Sequence, residues 1–195
     1  MTPWTAQAEL LADAIREPGF RAAVLTASAW RAGVHPEATH GLVGAAMALT
    51  DGQAMGALWS EAEPCPADAV LLELAAELEG AVTELHVAAT RLAAACREAL
   101  AVATSSASRA ATDLASADPG VKAAAEAGLA AARAAIADCE AALEILGQVR
   151  DRLEYALKCL RQVPDDFASH YETPYGFIRH HGPLPATGDF LTPAA

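Results

Sequence analysis

Apolar residues recur at helical spacing along most of this chain, and the pattern divides it into three stretches of different character. Three short amphipathic patterns come first. From Thr5 to Arg16, Leu10, Leu11, Ala14 and Ile15 share a face, and Pro18-Gly19 is expected to end the helix. From Phe20 to Arg31, Phe20, Val24, Ala27 and Trp30 form an i, i+4, i+7 series that Gly33 closes. Pro36 is placed as the first residue of a third helix reaching about Leu49, with Leu42, Val43, Ala46 and Met47 inward. Thr50-Asp51-Gly52 breaks the chain, and a further short turn is expected over Met55 to Trp59.

Beyond Pro64-Cys65-Pro66 the pattern lengthens. One helix is expected from about Ala67 to Ala115, interrupted by a single glycine, Gly80. Ser116 to Gly120 reads as a turn, with Asp118 as N-cap and Pro119 in the first helical position. A second long helix follows to about Val163, where Pro164 is expected to stop it. Along it Leu129, Ile136, Leu143, Leu146, Arg150, Leu153, Leu157 and Leu160 nearly keep a 3.5-residue period, the spacing of a coiled-coil seam. Two helices this long joined by a short turn must lie antiparallel. The leucines crowd the first half of one and the last half of the other, so pairing brings them together at the open end of the hairpin. The closed end, from about Ala101 to Ala127, is nearly all Ala, Ser and Thr, and holds together only by close alanine contact or by docking on something.

The fold expected is therefore all-α: short helices over residues 1–63, a long hairpin over 64–163 and an irregular tail over 164–195, acting as one cooperative domain. Composition agrees. Hydrophobic residues make up 53% of the chain and aromatics 5%, an excess that is alanine, so the core should be of closely spaced helices. The tail holds five of the ten aromatic residues, a composition that suits lying against a surface, in cis or in trans, rather than solvation.

The formal net charge of -12 repels phosphate backbones and anionic lipid, and no basic stripe offsets it, which argues against nucleic-acid and membrane partners. No leader-like segment opens the sequence and no window of about 20 residues is apolar enough to span a bilayer, so a cytoplasmic protein is expected. Cys96, Cys139 and Cys159 fall inside helical patterns and read as small buried apolar residues, while Cys65 lies in a loop.

Candidate chemistry is sparse. In His35-Pro36-Glu37-Ala38-Thr39-His40, Glu37 and His40 stand i, i+3 on a helix, the Glu-x-x-His element with which helical bundles hold di-iron centres. A second such element is missing, although Glu140 and Glu144 could add carboxylates. The tail gathers Phe167, Tyr171, Tyr175, Phe177, Arg179, His180, His181 and Phe190, aromatic and arginine anchors of the kind found at interfaces. His170, His180 and His181 with Asp189 could instead make a small metal site. Trp4, Trp30 and Trp59 cluster in the N-terminal third, where they could line a ligand pocket, and His86 reads as a helix-flank residue.

The first reading is a non-enzymatic interaction or structural protein with no required cofactor, self-associating through its hairpin and docking a protein partner through its tail. The alternative is a metal-binding bundle enzyme using His35, Glu37 and His40. A small-ligand sensor with a tryptophan-lined pocket is the third.

Overall fold

The computed structural model describes residues 3–50, 63 and 68–171. Every regular element among them is helical: α1 (Trp4–Ala14), α2 (Arg16–Arg31), a short 3-10 turn (Pro36–Thr39), α3 (His40–Thr50), α4 (Asp68–Asp113) and α5 (Pro119–Tyr171). The helices pack against one another, with α4 running along α5, so the chain is an all-α bundle. The turn expected at Met55 to Trp59 lies outside the described residues. No helix among the described residues is long and apolar enough to cross a membrane.

The first two helices meet earlier than the sequence suggests. Pro18-Gly19 does not end a helix; it sits in the first turn of α2, and the break falls at Ile15. A proline there costs no intrahelical bond, because the first-turn amides have no partner to lose. Gly19 serves a different need. A Cβ there would come 2.5 Å from Thr50 Cγ2 and 2.7 Å from Leu49 Cβ, so glycine lets α2 meet the end of α3. Gly33 ends α2 as expected, with φ +85° and its amide donating to the Trp30 carbonyl.

At the hairpin turn Asp118 caps α5 as expected, its carboxylate accepting from the Gly120 amide at 2.7 Å and the Val121 amide at 3.4 Å. The stop expected at Pro164 is not observed: α5 continues through it to Tyr171. The lost bond to the Leu160 carbonyl is outweighed on the inner face, where Val163 and Phe167 are fully buried while Pro164 faces solvent. Asp166 adds a bond, accepting from the Gly41 amide at 3.0 Å.

By contacts the chain forms two compact units, and α4 and α5 contribute to both. One comprises Met1–Arg16 with Thr83–Glu154. Its core is Ala8, Ala93, Cys96, Cys139, Ala142 and Leu146, with Trp4, Leu11 and Leu92 packed against them. The other comprises Glu17–Val82 with Tyr155–Ala195. Here α3 presses on α5 so closely that a Cβ at Gly41 would collide with the Cys159 carbonyl oxygen, and one at Gly44 would meet Cys159 Sγ at 2.7 Å. Leu42, Leu49, Leu71, Leu78, Leu160, Val163 and Phe167 fill this core. An Arg161–Glu79 ion pair at 2.9 Å ties the helix flanks, a contact worth at most about 1 kcal/mol on the surface.

Candidate functional site

The buried positions of the hairpin repeat every seven residues with no break. In α5 they are Ala125, Ala132, Cys139, Leu146, Leu153, Leu160 and Phe167; in α4 they are Ala75, Val82, Ala89, Cys96, Ala103 and Ala110. A second row in α5, Ala142, Val149, Ala156 and Val163, is buried as well. The period expected from sequence holds, but its phase is shifted. Leu146, Leu153, Leu157 and Leu160 are buried, whereas Leu129, Ile136, Leu143 and Arg150 are only half-buried. The Nε of Arg150 is shielded from water with no hydrogen-bond partner among the described residues. In α5 the first row is alanine toward the turn, at Ala125 and Ala132, and Leu146, Leu153, Leu160 and Phe167 toward the open end.

The second row fails at the closed end. From 101 to 136 only Ala103, Ala110, Ala125 and Ala132 are buried. Gly128 and Ala135, which continue the inner row Ala142–Val149–Ala156 toward the turn, are exposed. Gly128 lines a shallow groove with Ser106, Arg109, Asp113, Val121 and Ala124. Val102 beyond it is 66% exposed. Four buried methyl groups supply about 3 kcal/mol at about 0.8 kcal/mol each, which is small against the about 1–2 kcal/mol per residue that ordering the backbone costs.

Two further properties mark this end. Arg109, Lys122 and Arg133 balance Asp113, Asp118 and Glu126, so 101–136 carries no net charge in a chain of -12. Its hydroxyls are also turned inward. Thr104, Ser106, Ser108 and Thr112 each donate to the carbonyl four residues earlier, at 2.8 to 3.1 Å. A surface whose donors are already satisfied can be covered without stranding a buried polar group.

The metal candidates are not gathered into a site. Glu37 lies on the 3-10 turn, not on a helix, and is 73% exposed. Its backbone amide donates to His35 Nδ1 at 3.4 Å, and its carboxylate stands 3.9 Å from the same nitrogen. Glu37 and His40 stand i, i+3 across the junction of the 3-10 turn and α3 and are both exposed, and His35 caps the turn. Glu140 and Glu144 are exposed too. Among the described residues no three His, Cys, Asp or Glu side chains come together as metal ligands would.

Of the tail candidates, Phe167 is 1% exposed and belongs to the chain's own core. Tyr171 is the last residue of α5. Tyr175, Phe177, Arg179, His180, His181, Asp189 and Phe190 lie outside the described residues, as do Trp59 and Cys65. Trp30 is committed to structure: its Nε1 donates to Thr39 Oγ1 at 2.7 Å, and that hydroxyl donates to the Pro36 carbonyl at 2.9 Å.

Asp138 was not singled out by sequence, and no spacing rule could have found it, because its partners are more than 130 residues away. It caps α1 from α5. Its carboxylate accepts from the Trp4 amide at 2.8 Å, the Thr5 amide at 3.1 Å and Thr5 Oγ1 at 2.6 Å. The Thr5 hydroxyl and then the two amides hold its pKa below the ordinary carboxylate value. On the outer side of α1, Gln7, Leu10, Leu11 and Ala14 face Ala88 and Leu92 of α4 across a second groove, and Leu10 is 67% exposed. Compared with known proteins, the chain matches no family model, no curated protein and no solved structure.

Proposed function

We propose that this chain is a non-enzymatic interaction protein of the cytoplasm that self-associates by laying the closed ends of two helical hairpins together. The observation that carries the reading is the half-finished seam between 101 and 136, where two helices bury one alanine row and leave the next one open. Two hairpins meeting there would complete a four-helix arrangement in the coiled-coil geometry that small residues allow. The balanced charge of this segment supports a second copy as the occupant, since two closed ends can meet without the repulsion that a net charge of -12 sets up between whole chains. At micromolar concentration, light scattering should report twice the chain mass. Ala124→Glu sets like charges against each other across such an interface while leaving an exposed helix position intact, and should weaken the dimer at least about tenfold. A monomeric parent protein would end this reading.

A protein partner engaged by the aromatic sequence after Tyr171 is the second element of the proposal. Affinity capture with the full chain beside one ending at Tyr171 tests it, and a partner held equally by both would remove the tail from the reading. Cutting at Val163 instead would also delete Phe167 and damage the core.

A further inference from the structure

Cys96 and Cys139 hold matching places in the inner rows of α4 and α5, and both are fully buried. The Cys96 sulfur lies 3.4 Å from the Cys139 carbonyl oxygen, so one cysteine rests on the backbone of the other. The neighbouring positions in the same rows are Ala89 and Ala103 on one helix and Ala132 and Leu146 on the other, three of them alanine, and Ala142 packs in the same cluster. Small neighbours permit the close backbone approach a disulfide needs, with Cα atoms about 4.4–6.8 Å apart.

What keeps these thiols quiet is their cover. Burial first, and then the neighbouring Cys139, push the Cys96 thiol up to about 11, so Cys96 thiolate is scarce while the cluster is closed. The cover includes α1, which contributes Ala8 to the cluster with Trp4 and Leu11 packed on it. The N-terminus of α1 is held by Asp138, the residue next to Cys139. The latch and the thiols are thus adjacent on one helix.

We propose that Cys96 and Cys139 are a redox-reactive pair that closes to a reversible disulfide between α4 and α5 when α1 lifts from the cluster. The oxidant is a small disulfide. One cysteine thiolate attacks it, forming a mixed disulfide and releasing one reduced thiol; the second cysteine thiolate displaces the other thiol and forms the Cys96–Cys139 bond. The two cysteine protons end on the two released thiols, and the two electrons lost by the cysteines reduce the oxidant. The product links positions 43 apart in sequence and fixes the hairpin at the point where the buried row of α5 changes from leucine to alanine. The inference is independent of self-association.

The test uses the full chain, native at neutral pH, with excess oxidised glutathione. Samples are quenched in acid, alkylated and digested, and the cross-linked peptides are identified by mass. The expected result is a Cys96–Cys139 peptide pair two hydrogens lighter than its reduced parts, reversed by reductant, with a melting temperature raised by about 5–10 °C. Thr5→Ala removes one bond to the latch but leaves the Asp138 charge beside the thiols, so it separates lid opening from electrostatics. It should speed formation about fivefold, the effect of weakening a helix cap. Glutathione adducts alone, links from either residue to Cys65 or Cys159, or unreacted thiols would overturn the pair. An unchanged rate in Thr5→Ala would overturn the gate.

Discussion

Gly41→Ala is expected to destabilise the protein by about 3 kcal/mol, read as a lowered midpoint of denaturant unfolding with an unchanged slope. Gly41 begins the part of α3 that lies on α5, and a Cβ at this position would strike the Cys159 carbonyl oxygen and come 2.8 Å from Val163 Cγ2. Neither neighbour can yield cheaply. The carbonyl belongs to the interior of α5, and Val163 is fully buried beside it. Moving α3 outward would also stretch the bond from the Gly41 amide to Asp166, now 3.0 Å. Gly80→Ala is the control. Nothing lies within 4 Å of its missing Cβ, so alanine there should raise stability by about 0.5–1 kcal/mol through helix propensity. A Gly41→Ala protein within 0.5 kcal/mol of the parent would show that α3 and α5 can separate without cost.

The contrast between these two glycines indicates what could and could not be read from sequence. The long hairpin, the Asp118 cap and the Gly33 terminus were legible because each depends on neighbours within a few residues. The choice of inner face was less so. In α2 the expected apolar series begins with Phe20 and Val24, yet both are exposed, and the buried face is Ala22, Ala23, Thr26, Ala27 and Ala29. Met47 of α3 and Leu10 of α1 are exposed as well. Hydrophobic periodicity weighs a residue by its apolar size, but α2 packs through its small side chains, which leaves Phe20 and Val24 on its exposed side. A seven-residue alanine repeat was the available signal, and it is faint because alanine is also the commonest helix former. The candidate site shows the same division. The closed end was legible as poor in large side chains. Its hydroxyls bond within α4 and are local, but its open second row and the Asp138 latch depend on which residues meet across α4, α5 and α1.

Phe167→Ala should cost about 4 kcal/mol. Phe167 is the last residue of the first buried row in α5 and the largest fully buried side chain among the described residues, 1% exposed. Sequence placed it in an irregular tail because Pro164 precedes it. The helix survives that proline because the turn carrying Phe167 and Val163 buries more apolar surface than the missing Leu160 bond is worth. If so, the energetic support runs from the phenylalanine back to the proline. Truncating Phe167 should loosen the final turns of α5, raise amide exchange from Asp165 to Ala168 and release the Asp166 bond to Gly41. Pro164→Ala, on the solvent side of the same turn, should not lower stability and would restore a backbone donor toward the Leu160 carbonyl. Comparable stability of Phe167→Ala and the parent would mean that α5 ends functionally at Pro164. A large loss with Pro164→Ala neutral or stabilising would establish residues up to Phe167 as core, and would move the beginning of any docking segment beyond Tyr171.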